Sequence, residues 1–257
     1  MGFSAISQPN EKNLTPKPGR LGIISALPAE ANCLTNYSLP SKKILTINDT
    51  LILVSGIGSE NAASAAQQLI NHGATSLLSW GTAGGLSDTL RFGDILLPQF
   101  VQLSNTENGQ YQTDHNWRQQ IIKLISSDLK PHDGLLLQTN EIIADTRQKS
   151  LLHEKTTAIA VDMESGSIAK VAALHDLPFL IIRSIVDTSN ETIPMSAINS
   201  IDEFGQTKPA TLIANLIKNP GDIPKLIKLG KHFRQARKNL KQVSTLAGTL
   251  LAIPQQP

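Results

Sequence analysis

Three carboxylates each stand at or just beyond the end of a short apolar run: Glu30 after residues 21–29, Glu164 after residues 158–163 and Asp187 after residues 179–186. In α/β sheets ligands bind outside the carboxyl ends of buried strands, so acids placed there can meet in one crevice from distant points in the chain. Acids that converge divide their labour into an ionised base, an acid that keeps its proton and an acceptor for sugar hydroxyls. Cleavage of a ribose–base bond calls for those three roles. Taken singly, each acid is an ordinary surface residue near a strand end. Their order and flanking residues set them apart.

The elements that must position them follow from the hydrophobic pattern. Residues 21–26, 74–80, 158–161 and 178–186 read as buried strands, and 44–47 with 50–55 as a hairpin around Asn48-Asp49. Shorter strands are expected at 94–97, 101–103, 134–138 and 142–144. Helical spacing marks 29–34, 60–71 with Ser59 as N-cap, 117–130, 149–155 and 165–175. Gly81-Thr82-Ala83-Gly84-Gly85 reads as a glycine loop. Strands alternating with helices predict an α/β fold in a single domain, with a central mixed, partly curled sheet flanked by helices. Beyond Asp187, helices are expected at 209–218 and 223–246, the latter capped by Asp222 with Pro224 in its first turn.

Composition narrows the field. The 257 residues can bury a full core, and 40% apolar with 17% charged residues is a globular balance. Only 4% are aromatic and no basic-aromatic patch occurs, which argues against nucleic acid as a partner. A single cysteine, Cys33, cannot form an internal disulfide and fits a reducing, cytoplasmic setting. The six histidines are scattered without ligand spacing, so no metal site is expected. Glycines 56 and 58 lack the third glycine of a dinucleotide fingerprint, no Walker lysine follows a glycine loop, and Glu164-Ser165-Gly166-Ser167 is not a nucleophile elbow.

Five segments in order, Gly22–Glu30, Ser55-Gly-Ile-Gly58, Gly81–Gly85, Val161-Asp-Met-Glu164 and Arg183-Ser-Ile-Val-Asp187, resemble the nucleoside phosphorylase/nucleosidase superfamily. The nearest branch by this resemblance is the methylthioadenosine/S-adenosylhomocysteine nucleosidases. The resemblance implies a general base at Glu30, an acid for the purine N7 at Asp187, and a ribose ligand at Glu164 with Met163 beneath the sugar. It implies main-chain reading of adenine near Ile143, and a base-facing segment at Thr82, Ala83 and Gly84. Arg183 is expected either to touch the sugar or to pair with an acid, Asp162 to serve the strand end, and Trp80 to belong to the core. Members of the superfamily are commonly dimers or larger, which implies a homo-oligomer. The resemblance covers roughly residues 20–190; with the polar lead-in and the charge asymmetry, a flexible segment at 1–19, a catalytic domain at 20–205 and a basic helical extension at 206–257 are expected.

The nucleophile is the next question. A phosphorylase grips phosphate with arginines. Related phosphorylases carry them where this chain has Ser79 and Glu30. A carboxylate there repels phosphate and suits water, so hydrolysis is expected, without a cofactor. Phosphorolysis, with phosphate as co-substrate, is the alternative, and a non-catalytic nucleoside-binding module is a second.

The extension carries its own signal. Residues 208–241 hold nine lysines and arginines against one acid, Asp222, although the whole chain is only +2. Its pattern from Ile193-Pro194 through Phe204-Gly205 to the basic helix resembles the hopanoid-associated branch of the superfamily. That implies a lipid-linked nucleoside, adenosylhopane, as substrate. A helix mixing Ile223, Leu226, Ile227 and Phe233 with lysines can also make peripheral contact with an anionic membrane.

Overall fold

A computed structural model describes residues 19–35, 41–104, 106, 109–206 and 208–251. Most of the segment expected to be flexible, 1–18, and the last residues of the extension lie outside these. The chain order is β1 (Leu21–Ser25), α1 (Pro28–Ala31), β2 (Ile44–Ile47), β3 (Thr50–Val54), α2 (Ser59–Asn71), β4 (Ser76–Gly85), β5 (Ile95–Leu96), β6 (Phe100–Leu103) and β7 (Gln110–Gln112). There follow α3 (His115–Ile125), β8 (Leu135–Gln138), α4 (Thr146–Thr156), β9 (Ala160–Asp162), α5 (Ser165–Leu174) and β10 (Phe179–Asp187). Among the described residues three more α-helices follow: α6 (Met195–Ile198), α7 (Pro209–Lys218) and α8 (Ile223–Ala247).

One mixed sheet contains all ten described strands. Its path is β2-β3-β1-β4-β9-β8-β6-β7, with β10 pairing both β4 and β5. β4 organises it. Its first half lies parallel between β1 and β10; its last two residues, Gly84 and Gly85, pair antiparallel with Val161 and Ala160 of β9. The expected glycine loop is therefore strand. Glycine is a turn signal only when nothing flanks the backbone, and here two neighbouring strands take up its hydrogen bonds. β1, β4 and β10 are buried almost throughout, as strands covered on both faces must be.

Other departures are local. The segment 142–144 is loop, because its apolar residues line a cavity instead of pairing. Gly58, not Ser59, is the N-cap of α2, and β7 and α6 are short elements that periodicity does not reveal.

Two apolar layers cover the sheet. On one side Ala62, Ala65, Ala66 and Leu69 of α2 pack with Ile168, Ala169 and Ala172 of α5. On the other, Trp117, Ile121 and Ile125 of α3 pack with Trp80, Leu240, Val243 and Ala247. The second half of the basic helix α8 is thus part of the core. Its first half is not: Ile223 and Ile227 are exposed, and α7 buries no residue at all. The Asp222 carboxylate accepts from the Ser196 hydroxyl (2.7 Å) and makes no side-chain cap to α8.

Candidate active site

Glu30 reaches its position through a short helix. The chain leaves β1 and turns at Leu27, the N-cap of α1, with Pro28 pre-set for the first helical position. Glu30 then folds back, its Oε2 accepting from the Leu27 amide (3.3 Å) and the Ser25 hydroxyl (3.2 Å). Its Oε1 accepts from the amide (2.9 Å) and hydroxyl (2.6 Å) of Thr82 on β4. The Trp80 indole, wholly buried, donates to the Glu30 carbonyl (3.1 Å). Close approach of Glu30 to β4 depends on Gly81: a Cβ there would lie 2.8 Å from Glu30 Oε2 and 3.0 Å from an Arg183 Nη.

Glu164 stands between β9 and α5. Its Oε1 accepts from the amide of Gly58 (2.8 Å) and its Oε2 from the Met163 amide (3.2 Å). Gly58 has φ +102°, a conformation glycine adopts without strain and which aims its N–H at the carboxylate. Asp162 behind it serves the strand end: Oδ1 accepts the amides of Glu164 and Ser165, and Oδ2 the Ser165 hydroxyl and Arg183 Nε (2.9 Å).

Of the two roles expected for Arg183, pairing with Asp162 is the one formed. Its other contacts are the hydroxyls of Ser79 (2.7 Å) and Ser165 (2.9 Å), and it does not line the cavity. Arg183 is only 3% exposed: its Nε and Nη2 are spent on these fixed acceptors, while the buried Nη1, beside Gly81, has no hydrogen-bond partner among the described residues. Ser79, where related phosphorylases carry an arginine, is itself wholly buried.

Asp187 closes β10. The pairing with β4 slips between Ile185 and Asp187, a bulge that leaves Val186 without a partner and sets Asp187 opposite Gly84. Its Oδ2 takes an ion pair from Lys149, which is fully buried. Lys149 comes from the first turn of α4, whose start is fixed by Asp145 accepting from the amides of Arg147 and Gln148. The same Nζ donates to the carbonyls of Thr188 (2.8 Å) and Glu191 (2.7 Å). Sequence reasoning missed Lys149. It is one polar residue in a polar helix, and no spacing marks it.

These three carboxylates meet in one cavity of about 200 Å³. Its walls also include Thr82, Ala83, Gly84, Ile143 and Met163, each expected from the sequence at the ligand, together with Leu27, Ile57, Thr139 and Ile193, for which no contact with the ligand was expected. Burial pushes the Glu30 carboxyl above the ordinary range, opposed by the Thr82 hydroxyl, Arg183 and the amides of Thr82 and Leu27. Burial and the neighbouring Asp162 push Glu164 up to about 7, against Arg183 and the Gly58 amide. Burial raises Asp187 as well, opposed first by the Lys149 charge. Among the described residues no group of His, Cys, Asp and Glu is arranged to hold a metal ion.

Acids delivered by three strand ends to one mostly apolar cavity define a ligand-binding α/β protein with acid–base capacity. Residues 20–218 match the model of the Phosphorylase superfamily, and the chain belongs to that superfamily. It is 27% identical over 226 residues to the 5'-methylthioadenosine/S-adenosylhomocysteine nucleosidase of Shewanella pealeana, spanning 77% of this chain and 98% of that protein. Among solved structures it is similar to the Helicobacter pylori nucleosidase of the same name (TM-score 0.65, 16% identity, 91% of this chain and 97% of that one). The Neisseria meningitidis nucleosidase in complex with methylthio-immucillin-A is similar too (TM-score 0.65, 17% identity, 90% of this chain and 99% of that one). At such identities the solved structures speak for the fold.

Proposed function

We propose that the protein hydrolyses the N-glycosidic bond of a 5′-substituted adenosine, releasing adenine. The observation that carries this is the convergence of Glu30, Glu164 and Asp187 on one cavity, each in a different electrostatic setting. As the C1′–N9 bond lengthens, the ribosyl group becomes cationic, and fixed carboxylates and hydrogen bonds to sugar hydroxyls stabilise it. Glu164, held by the Gly58 and Met163 amides, takes the hydroxyls over Met163. Glu30 takes a proton from the attacking water; its four neutral donors favour the ionised form that a base requires. Asp187 serves N7, and Ile143 and Gly84 flank the base. Water is the only co-substrate in this reading. Glu30 would repel phosphate, and the phosphorylase arginine is replaced by the buried Ser79. Adenine release from 5′-methylthioadenosine in phosphate-free buffer tests it. A strict phosphate requirement, with a ribose 1-phosphate product, moves the assignment to phosphorolysis. Binding without turnover, unchanged in Glu30→Gln, makes the protein a nucleoside-binding module.

A finer reading concerns the 5′ substituent. Met195, Ile213, Ile217, Ile223 and Ile227 are exposed on the last three helices, among Lys208, Lys218, Lys225, Lys228 and Lys231. Exposed apolar side chains on the same helices as exposed lysines suit an anionic lipid surface, at about 1 kcal/mol per cation near it, although Lys228 is paired with Glu191. No helix among the described residues is long and apolar enough to cross a membrane, so contact would be peripheral. This supports a lipid-linked nucleoside such as adenosylhopane, handled at the bilayer. Because the second half of α8 is core, deleting residues 222–257 would unfold the protein. The sharper test is Ile213→Asp with Ile217→Asp, expected to lower binding to anionic vesicles while sparing methylthioadenosine cleavage. Unchanged vesicle binding ends the membrane reading. Light scattering of the purified protein measures the expected self-association.

A further inference from the structure

The Lys149 ammonium has three N–H bonds and, around it, three acceptors: Asp187 Oδ2, the Thr188 carbonyl and the Glu191 carbonyl. It is 0% exposed. A buried ion pair contributes little net stability compared with an apolar pair of the same shape, so its presence beside a catalytic acid asks for another reason. The setting accommodates two states of one proton. As an ammonium, Nζ uses all three acceptors. As a neutral amine it keeps two N–H bonds for the carbonyls and offers its lone pair to a protonated Asp187.

Resting on the nucleosidase reading above, we propose that Lys149 is the positioning residue that keeps Asp187 supplied with the proton it gives to the purine. The C1′–N9 bond breaks with its electron pair going to the purine. The water oxygen bonds to C1′ and yields a proton to Glu30, while the Asp187 O–H bond breaks, its electron pair staying on the carboxylate, as the N7–H bond forms. One Nζ–H bond of Lys149 breaks, its electron pair stays on Nζ, and the proton passes to Asp187. The proton gained by Glu30 from the attacking water matches the one lost by Lys149, so exchange with solvent restores both.

A route for that exchange is at hand. A second cavity shares Asp187 and Ile193 with the first and is lined further by Asn190, Glu191, Lys228 and His232. Several charged groups surround the pair and the second cavity. α4 contributes Lys149 itself, the segment after β10 contributes Glu191, and Lys225 of α8 also lines the cavity. From α8 come Lys228 (2.6 Å from Glu191 Oε1) and His232 (3.4 Å from Oε2). Burial raises Glu191, yet hydrogen bonds from Lys228 and the Thr188 amide, with His232, hold it below the ordinary carboxylate range. Glu191 therefore stays anionic, and no proton is stored there in place of Lys149.

The test compares leaving groups. Adenine needs a proton at N7, whereas 4-nitrophenolate departs without one. Wild type, Lys149→Met and Lys149→Arg are assayed with methylthioadenosine and with the 4-nitrophenyl riboside bearing the same 5′ group. Both variants are expected to lose about 100-fold in kcat on the adenosine and to stay within about threefold of wild type on the nitrophenyl riboside. The arginine variant is the stricter arm, since guanidinium keeps the charge but does not give up a proton. It also decides the matter if the methionine variant does not fold. Equal losses on both substrates, or full adenosine turnover in Lys149→Arg, overturn the proposal. Failure of wild type to cleave either substrate is a separate result that overturns the nucleosidase reading itself.

Discussion

At one side of the cavity Glu30 receives its hydrogen bonds from two hydroxyls and two amides; at another Asp187 receives a bond from a buried ammonium. Both carboxyls are 3% exposed and burial raises both, so burial alone does not distinguish them. The kind of partner does. Neutral donors stabilise a carboxylate without offering it a proton, whereas an ammonium stabilises it and can also supply one. In the proposed reaction, this difference is what would make one of two like residues at strand ends the proton acceptor and the other the proton donor.

Changing the leaving group is the most direct way to break this contrast. Glu30→Gln should lose about 10²–10⁴-fold in kcat with either adenine or 4-nitrophenolate departing, since water must be activated in both cases. Asp187→Asn should lose about 100-fold with adenine only, because an amide cannot protonate N7. Parallel losses in the two variants would erase the distinction. Glu164→Gln, at the sugar, should fall by about 10–100-fold in kcat/KM with both leaving groups, affecting binding and turnover together.

The smallest effect is on stability. A carboxyl whose pKa is raised by folding binds more protons in the native than in the unfolded state, so native stability falls as pH rises. For Glu164 the window runs from its ordinary value of 4.5 up to about 7. The melting temperature of the ligand-free protein should decline across that range, and Glu164→Gln should flatten the decline. Identical pH dependence of the melting temperature in wild type and Glu164→Gln would show that folding does not raise the Glu164 carboxyl.

Much of this architecture was legible because burial and sequence coincide. The runs that became β1, β4 and β10 are apolar on both faces, so strand type and the place of Glu30 and Asp187 at strand ends could be read directly. Gly81–Gly85 misled because a glycine-rich stretch reads as a turn until the strands on either side are known. Residues 142–144 misled in the opposite sense: their apolar character serves a cavity wall. For Arg183 the sequence offered contact with the sugar or pairing with an acid, and only three-dimensional neighbours show its pair with Asp162. Lys149 was invisible. Nothing in Asp-Thr-Arg-Gln-Lys tells which polar side chain turns inward, and the residue it meets lies 38 positions away.

One layer of the core joins the two extremes of the described chain: Leu21 and Ile23 of β1 share it with Leu240, Val243 and Ala247 of α8. During translation β1 emerges early and its cover emerges last. At roughly 5–20 residues added per second, that face of the sheet waits on the order of tens of seconds without its helix. The opposite layer, built from α2 and α5, is complete once β10 has emerged, before α8 has been made. A nascent chain would thus pass through a stage with one finished face and one open apolar face, a natural substrate for chaperones and proteases. A chain ending before Leu240 is expected to stay at that stage, read as bound hydrophobic dye and rapid proteolysis.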